Sequence, residues 1–231
     1  MLRIAVAGAL GRMGRVACSA LKNTDGVVYA GGLARAAVPD EKIVTDLEQL
    51  IRAGKPDVLL DLTTCPDSVA ISTNALLHGV RPVIGASGWS DDDRRALDAL
   101  SRERNLGAML VPNFSIGAML MMRFAQEAAQ FFPSAEIIEL HHDRKKDAPS
   151  GTAKRTAERI AAGGGPAHTP IHSVRMRGLL AHQEVLFGTE GELLTIRHDA
   201  LSREGYVPGM LAAARAVMTV CGLQIWSFDN A

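Results

Sequence analysis

The chain has 231 residues and carries 25 basic and 25 acidic side chains, so its formal net charge is zero. A neutral balance argues against a general polyanion binder, which usually carries an excess of basic residues. Hydrophobic residues make up 47% of the chain, which argues against intrinsic disorder. No apolar run reaches the roughly 18 residues that a membrane helix needs.

The amino-terminal run MLRIAVAG lacks the basic region, apolar stretch and cleavage site of a signal peptide. The three cysteines, Cys18, Cys65 and Cys221, are odd in number and form no CxxC pair. This pattern argues against a disulfide framework and against a zinc ribbon. We therefore expect a protein of the reducing cytoplasm.

Through residue 112, short apolar runs alternate with helical patterns. The predicted strands are Arg3–Ala7, Val27–Leu33, Val58–Leu62, Pro82–Ile84 and Ala108–Val111, and the predicted helices are Arg12–Lys22, Asp46–Ala53, Ser68–His78 and Asp91–Arg104. This alternation is typical of βαβ units, and the strands are apolar on both faces, as in a parallel sheet covered by helices.

The pattern changes after Asn113. The predicted helices are Gly117–Phe131, Thr152–Ala162 and Met210–Val220, and the predicted strands are Glu136–His141, Ile171–Met176, Glu184–Phe187 and Leu193–His198. The last three strands lack long helices between them, which indicates an antiparallel or mixed sheet. The sequence thus predicts a Rossmann-like α/β domain with a parallel sheet, followed by an α+β domain with a mixed sheet.

Three glycines follow the first predicted strand. Gly8, Gly11 and Gly14 have the spacing GxxGxxG, a variant of the GxGxxG dinucleotide fingerprint. A loop of this kind lets backbone approach a pyrophosphate, while the following helix presents its N–H groups to the anion. Its place between a strand and a helix favours a dinucleotide site. The alternative is a plain strand–helix turn with packing glycines.

Cofactor choice is expected at the end of the second strand, where an NAD enzyme usually has an acidic residue. This chain has Gly31–Arg35 there, with no carboxylate. Arg35 and the nearby Arg12 are suited to a 2′-phosphate, which favours NADPH over NADH. The alternative for Arg35 is a solvated surface arginine.

Two further loops follow predicted strands, Gly85–Trp89 and Pro112–Ser115. Ligands bind at the carboxyl ends of the strands in open α/β sheets. The small residues of these loops would let a nicotinamide ring lie against backbone. Ordinary turn chemistry explains the same composition.

The segment with the most reactive side chains is Glu139–Ala153. It holds His141 and His142 at the end of a strand, then Lys145 in a cationic loop, and Ser150 as the expected helix cap. A helix amino terminus together with these cations favours an anion, and several donors suit a dicarboxylate. The surrounding cations argue against a metal. A solvated charged loop is the alternative.

Glu139–Ala153 closely resembles the E-x-HH-xxK-x-DAPSGTA signature of the dihydrodipicolinate reductase family, whose members are also called 4-hydroxy-tetrahydrodipicolinate reductases. Other segments agree in order along essentially the whole chain. They are Gly8–Gly14, Gly85–Trp89, Asn113–Gly117, Ser173–Arg175, Ala181–Gly188 and His198–Arg203.

The resemblance implies NAD(P)H-dependent reduction of 4-hydroxy-tetrahydrodipicolinate to tetrahydrodipicolinate, on the diaminopimelate route to lysine. It implies a dinucleotide-binding domain of residues 1–112 plus 207–231. Residues 113–206 would bind the substrate, a small dicarboxylate imine, and would form a homotetramer through their sheet. No nucleic acid, membrane or metal is expected to bind.

The resemblance also implies roles for single residues. His141 would be the acid/base residue and Lys145 the proton donor, while His142, Gly151 and Thr152 would bind substrate. The implied cofactor positions are Gly8, Ala9, Leu10, Gly11, Arg12, Met13, Arg35, Gly85, Ala86, Ser87, Val111, Pro112, Asn113 and Phe114. Ala34 stands where many members carry an acidic residue, so NADPH is expected, with NADH possible.

Two other functions stay open. One is another two-domain dinucleotide-dependent oxidoreductase, such as an aspartate-dehydrogenase-like or semialdehyde-dehydrogenase-like enzyme. The latter needs a catalytic cysteine, and neither Cys65 nor Cys221 lies in an obvious nucleophile context. The second is a non-catalytic NAD(P)-sensing protein, which would have lost the acid/base pair that His141 and Lys145 still provide.

Overall fold

A computed structural model describes residues 1–227. By their internal contacts these form two compact units. The first is Met1–Phe114 together with the segment from Tyr206 onward, and the second is Ser115–Gly205. Among the described residues, no helix is long and apolar enough to cross a membrane.

The strands are β1 (Leu2–Ala7), β2 (Val27–Leu33), β3 (Ile43–Val44), β4 (Val58–Asp61), β5 (Arg81–Ile84), β6 (Gly107–Leu110), β7 (Ser134–His141), β8 (Ile171–Arg175), β9 (Ala181–Thr189), β10 (Glu192–Ala200) and β11 (Gly222–Ile225). The helices are α1 (Arg12–Lys22), α2 (Leu47–Gly54), α3 (Asp67–Leu77), α4 (Asp91–Glu103), α5 (Ile116–Ala128), α6 (Gly151–Ala162) and α7 (Val207–Ala216).

The first unit contains a seven-stranded sheet in the order β11-β6-β5-β4-β1-β2-β3. Every strand pair in it is parallel. Strands β4 and β6 are buried at every position, as apolar strands covered by helices on both faces should be. The predicted parallel sheet is therefore confirmed.

The second unit contains a four-stranded sheet in the order β10-β9-β7-β8. Strands β7 and β8 are parallel, whereas β7–β9 and β9–β10 are antiparallel, so the predicted mixed sheet is confirmed. Its core joins Ile137, Val185 and Phe187 of the sheet to Met121 of α5 and Ile160 of α6. Alternate strand residues thus form the face that covers the helices.

Most predicted elements differ from the structure by one to three residues at an end; for example, the strand predicted as Glu184–Phe187 is Ala181–Thr189, and the helix predicted as Gly117–Phe131 is Ile116–Ala128 followed by a 3-10 turn. Strands β3 and β11 were not predicted, since β3 has only two residues and β11 has four. The last helix, predicted as Met210–Val220, is Val207–Ala216. It begins earlier because Pro208 is well suited to the first turn of a helix.

Four of the seven helices among the described residues begin with a side-chain cap, whereas α1, α3 and α7 do not. Asp46, Ser90, Ser115 and Ser150 accept hydrogen bonds from first-turn N–H groups of α2, α4, α5 and α6. The cap residue of α1 is Gly11, which offers no side chain, and the first turn of α1 contains no acidic residue. The N–H groups at this helix end therefore have no side-chain acceptor at the cap.

The turn between β1 and α1 requires glycine for steric reasons. Gly8 has a φ of 77°, which disfavours side chains. A Cβ on Gly14 would lie 2.0 Å from the Gly8 carbonyl oxygen and 2.8 Å from the Ala9 Cα. Both neighbours are backbone atoms, so neither can move aside without distorting the turn.

We expect Gly14→Ala to destabilise the protein by about 1–3 kcal/mol or more. Helix propensity alone predicts the opposite sign, a gain of about 0.5–1 kcal/mol. Chemical denaturation checks the difference, with Gly205→Ala as the control because no atom lies within 4 Å of its Cβ position. Equal stability of Gly14→Ala and wild type would show that the turn tolerates a Cβ.

Candidate active site

A buried carboxylate organises the end of β7. The side chain of Glu139 is 0% exposed and takes part in five hydrogen bonds. Its Oε1 accepts from the Ser150 backbone N–H at 3.1 Å, the Ser173 hydroxyl at 2.6 Å and Arg175 at 2.7 Å. Its Oε2 accepts from Arg175 at 2.9 Å and lies 2.5 Å from His141 Nδ1.

Strand geometry brings these groups together. Glu139 and His141 are two residues apart on β7, so their side chains lie on the same face. Strand β8 runs parallel to β7, with Ser173 opposite Glu139 and Arg175 opposite His141. The pairing register therefore places a hydroxyl and a guanidinium next to the buried carboxylate.

The amino terminus of α6 is attached to the same carboxylate. Ser150 caps α6 by accepting a hydrogen bond from Ala153 N–H at 3.1 Å, which confirms the predicted cap. Gly151 begins the helix, and a Cβ there would meet no atom within 4 Å. Open space thus adjoins a helix end that favours anions.

Lys145 lies in the loop before α6. Its Nζ donates to both carboxylate oxygens of Asp147, at 2.9 and 2.8 Å, and its side chain is 21% exposed. The hydrogen bond from Lys145 is the largest cause that lowers the pKa of Asp147. Arg175 donates to the Asp147 backbone oxygen at 2.8 Å. One arginine therefore connects the Lys145 loop to Glu139.

The surroundings lower the pKa values of both Glu139 and His141. Burial alone would raise the pKa of Glu139, but hydrogen bonds from Arg175, Ser173 and His141 outweigh it and lower the pKa. Burial lowers the pKa of His141, helped by the charges of Lys145 and Arg175 and opposed by Glu139. The pair is thus an anionic carboxylate and a neutral imidazole. Nδ1 then donates to Glu139, and Nε2 can accept a proton.

His142 follows the last residue of β7. Its Nδ1 is buried and has no hydrogen-bond partner among the described residues. A buried polar atom without a partner is unfavourable, so His142 is a candidate for contact with a ligand.

The predicted cofactor residues of the first unit follow the carboxyl ends of three strands of the same sheet, of which β5 and β6 are neighbours while β4 separates β5 from β1. Gly8–Met13 follow β1 and bring with them the uncapped end of α1. Gly85–Ser87 follow β5, and Val111–Phe114 follow β6. A Cβ on Gly85 would lie 2.5 Å from the Phe114 ring, so these two loops contact each other. The arrangement fits a dinucleotide, which binds across such strand ends.

Arg35 lies just beyond the end of β2. Its side chain is 95% exposed and 3.7 Å from Asp67, itself 58% exposed. An exposed ion pair of this kind contributes little to stability, so the guanidinium can reorient toward an anionic group. The neighbouring Ala34 donates its backbone N–H to Val44 at 3.0 Å and offers no carboxylate.

Sequence reasoning missed the role of Asp61. This carboxylate at the end of β4 is buried and accepts hydrogen bonds from Thr63, Ser68 and Ser72. Trp89 Nε1 donates to the Ser68 hydroxyl at 3.1 Å, which attaches the Gly85–Trp89 loop. An acidic residue ending an apolar strand, just before several hydroxyl residues, was the available signal.

Comparison with known proteins identifies the family. The model of the dihydrodipicolinate reductase N-terminus matches residues 2–114, and that of the C-terminus matches residues 117–225. The chain belongs to the dihydrodipicolinate reductase family. The match to both halves confirms the resemblance predicted from the signature in Glu139–Ala153.

Relatives agree with this membership over 94% or more of their lengths. The 4-hydroxy-tetrahydrodipicolinate reductase of Moorella thermoacetica is 41% identical, covering 99% of this chain and 97% of the relative. That of Geobacillus thermodenitrificans is 43% identical, covering 94% of each. The solved dipicolinate-bound dihydrodipicolinate reductase from Paenisporosarcina sp. TG-14 has a TM-score of 0.88 at 38% identity, covering 100% of this chain and 99% of that one.

The lowered pKa of Glu139 predicts an acid-dependent loss of stability. A carboxyl group whose pKa is lowered by folding stabilises the fold at pH values above its ordinary pKa of 4.5. This contribution is lost as the pH falls through the pKa that the group has in the folded protein. Glu139→Gln should therefore lower the free energy of unfolding by about 3–5 kcal/mol at neutral pH. As the pH falls below 4.5, the variant should lose less additional stability than wild type does. Urea unfolding across that range measures both changes.

Glu136→Gln is the matched control, because Glu136 lies on the same strand but is 55% exposed. Its stability should stay close to wild type at every pH. Parallel acid profiles for Glu139→Gln and wild type would contradict the role given to Glu139.

Proposed function

We propose that this chain catalyses the NAD(P)H-dependent reduction of 4-hydroxy-tetrahydrodipicolinate to tetrahydrodipicolinate, a step of diaminopimelate and lysine biosynthesis in the cytoplasm. The observation that carries the proposal is the Glu139–His141 pair beside Lys145 and the amino terminus of α6. Membership of the reductase family supports the same reaction.

Residues 1–112 and 207–231, of which 228–231 lie outside the described residues, would bind the dinucleotide together with Asn113 and Phe114. The uncapped end of α1 has the donors that a pyrophosphate needs, so the first unit fits the cofactor. The residues that would hold it are Gly8–Met13, Arg35, Gly85–Ser87 and Val111–Phe114. When bound, the reduced nicotinamide supplies the hydride.

Residues 113–206 would bind the substrate. Backbone N–H groups at Gly151 and Thr152, with the Thr152 hydroxyl, would hold one carboxylate at the positive end of the α6 dipole. His142 would offer its unpartnered Nδ1 to the substrate. The solved relative from Paenisporosarcina sp. TG-14 is a dipicolinate-bound reductase. Dipicolinate is a ring dicarboxylate, and a ligand of this kind fits the donors described above.

Proton transfer would fall to Lys145 and His141. The reaction balances as loss of the substrate hydroxyl, together with a proton from the neighbouring ring carbon, as one water, followed by uptake of one hydride and one proton. Hydride addition leaves negative charge on the substrate ring, and the Lys145 ammonium would stabilise that charge and supply the proton. The neutral His141 would hold or exchange a proton at Nε2.

The same residues 113–206 would assemble the homotetramer through their sheet. One face of this sheet covers α5 and α6. On β10, Leu193 is 68% exposed, and exposed and partly buried positions alternate along most of the strand. A largely open sheet surface with an exposed leucine supports association of this kind.

A coupled assay tests the reaction and the cofactor together. The chain is incubated with pyruvate, aspartate semialdehyde and the preceding synthase, with NADPH and NADH in parallel. We expect loss of NADPH absorbance that depends on the synthase. If NADPH binds but neither cofactor is oxidised, the proposal that the chain is an enzyme is contradicted, and a cofactor-sensing protein is favoured.

Lys145→Ala should lower kcat by about 10²–10⁴-fold, because it removes the proposed proton donor. Cofactor affinity should stay within about twofold, since Lys145 would touch the substrate. Steady-state kinetics and NADPH titration measure the two effects. Lys146→Ala, the neighbouring exposed lysine, is the control and should retain activity, while equal losses in turnover and affinity would contradict the role of Lys145.

Ala34→Glu should shift the ratio of kcat/KM toward NADH by about tenfold or more, which corresponds to about 1.4 kcal/mol. A carboxylate there would accept from ribose hydroxyls and repel a 2′-phosphate. The same assay with each cofactor measures the ratio. The control is Ala37→Glu, at an exposed position three residues further along the chain, which should leave this ratio unchanged. If Ala34→Glu also leaves the ratio unchanged, Ala34 does not determine the choice of cofactor.

A further inference from the structure

We propose that Glu139, held by Arg175, is a positioning residue that fixes both the His141 tautomer and the start of α6. The proposal rests on the function proposed above for His141, Gly151 and Thr152. Glu139 itself would touch neither substrate nor cofactor, because its side chain is 0% exposed. It would act through the groups that it holds.

The first step concerns His141. Its Nδ1 lies 2.5 Å from Glu139 Oε2, and a carboxylate can only accept a hydrogen bond. The imidazole proton must therefore sit on Nδ1, which leaves the Nε2 lone pair for chemistry. The His141 side chain is 15% exposed, so it is not fully sealed from solvent while Nδ1 stays occupied by Glu139.

The second step concerns α6. Oε1 of the same carboxylate accepts from the Ser150 backbone N–H at 3.1 Å, and Ser150 is the cap residue of α6. The donors proposed for the substrate carboxylate come from the next two residues. One buried carboxylate therefore sets the positions of the proton-transfer residue and of the carboxylate-binding turn.

The third step concerns Arg175. Its two terminal nitrogens donate to both oxygens of Glu139, and one of them also donates to the Asp147 backbone oxygen. This fork neutralises the buried charge. It also holds the loop in which Asp147 binds Lys145. The charged groups that act on His141 are thus Glu139, Lys145 and Arg175.

Glu139→Gln gives a specific test because an amide has one acceptor and one donor group. Three donors converge on Oε1, whereas Oε2 meets only His141 and one Arg175 nitrogen. The amide oxygen should take the Oε1 side and turn its NH₂ toward His141. His141 Nδ1 would then have to accept, and the ring proton would move to Nε2.

Ring ¹⁵N shifts of His141, measured by NMR on the chain without ligands, report this tautomer. We expect the proton on Nδ1 in wild type and on Nε2 in Glu139→Gln, together with a kcat about 10²–10⁴-fold lower. Substrate KM should also rise because the start of α6 is released, while NADPH affinity stays unchanged. A folded Glu139→Gln chain with the wild-type tautomer would overturn the proposal.

Glu136→Gln is the control on the same strand. Glu136 lies 2.8 Å from His172 Nε2, and both side chains are more than half exposed. This variant should change only the His172 signals and leave kcat within about twofold. A loss of activity equal to that of Glu139→Gln would mean that any glutamate–histidine contact on β7 matters equally, which contradicts the proposal.

Glu139→Asp covers the case in which Glu139→Gln does not fold. Its carboxylate keeps the charge but withdraws by about 1.5 Å, one carbon–carbon bond. The protonated His141 is then less strongly attracted to the carboxylate, so the pKa of His141 falls. The acid limb of the pH profile of kcat should therefore move to lower pH. An unmoved limb would overturn the proposal.

Failure of the proposed function is distinguishable from failure of this inference. A wild-type chain with the Nδ1 proton but no reductase turnover overturns the reaction and leaves the positioning intact. An active wild type whose Glu139→Gln variant keeps both tautomer and rate overturns the positioning alone.

Discussion

The buried ion pair between Glu139 and Arg175 is the interaction on which the candidate active site depends. A carboxylate without water is stable only if hydrogen bonds and opposite charge replace its hydration. Glu139 obtains them from two strands and a helix end. The same requirement fixes β7, β8 and α6 relative to one another, so satisfying the charge also positions the reactive groups.

The first unit also contains a buried carboxylate that accepts several hydrogen bonds at the end of a strand. Asp61 ends a strand whose residues are all buried, and its oxygens accept from Thr63, Ser68 and Ser72. Through Ser68 and Trp89 it reaches the loop after β5. In both units, a buried acidic residue toward the carboxyl end of a strand orders the loops proposed to bind ligands. Such loops would otherwise lose more conformational entropy on binding.

Local patterns predicted most of the fold. Helix α1 and strand β2 have the predicted bounds, because their periodicity and flanking turns agree. Strand β3 was missed because two residues carry no periodic signal, and their pairing with Gly32 and Leu33 is set by the sheet. Ser150 was correctly predicted as a cap, since capping depends only on residues three apart.

The sequence by itself determined the fold class, the glycine loop and the family, because each depends on spacing along the chain. It also showed which side chains in Glu139–Ala153 bear charge. Only the tertiary structure decided what those side chains do to one another. Arg175 lies 36 residues from Glu139 in the chain, and the parallel register of β7 and β8 brings them together. Hydrogen bonds and burial depend on distance in space, and that distance is set by strand pairing.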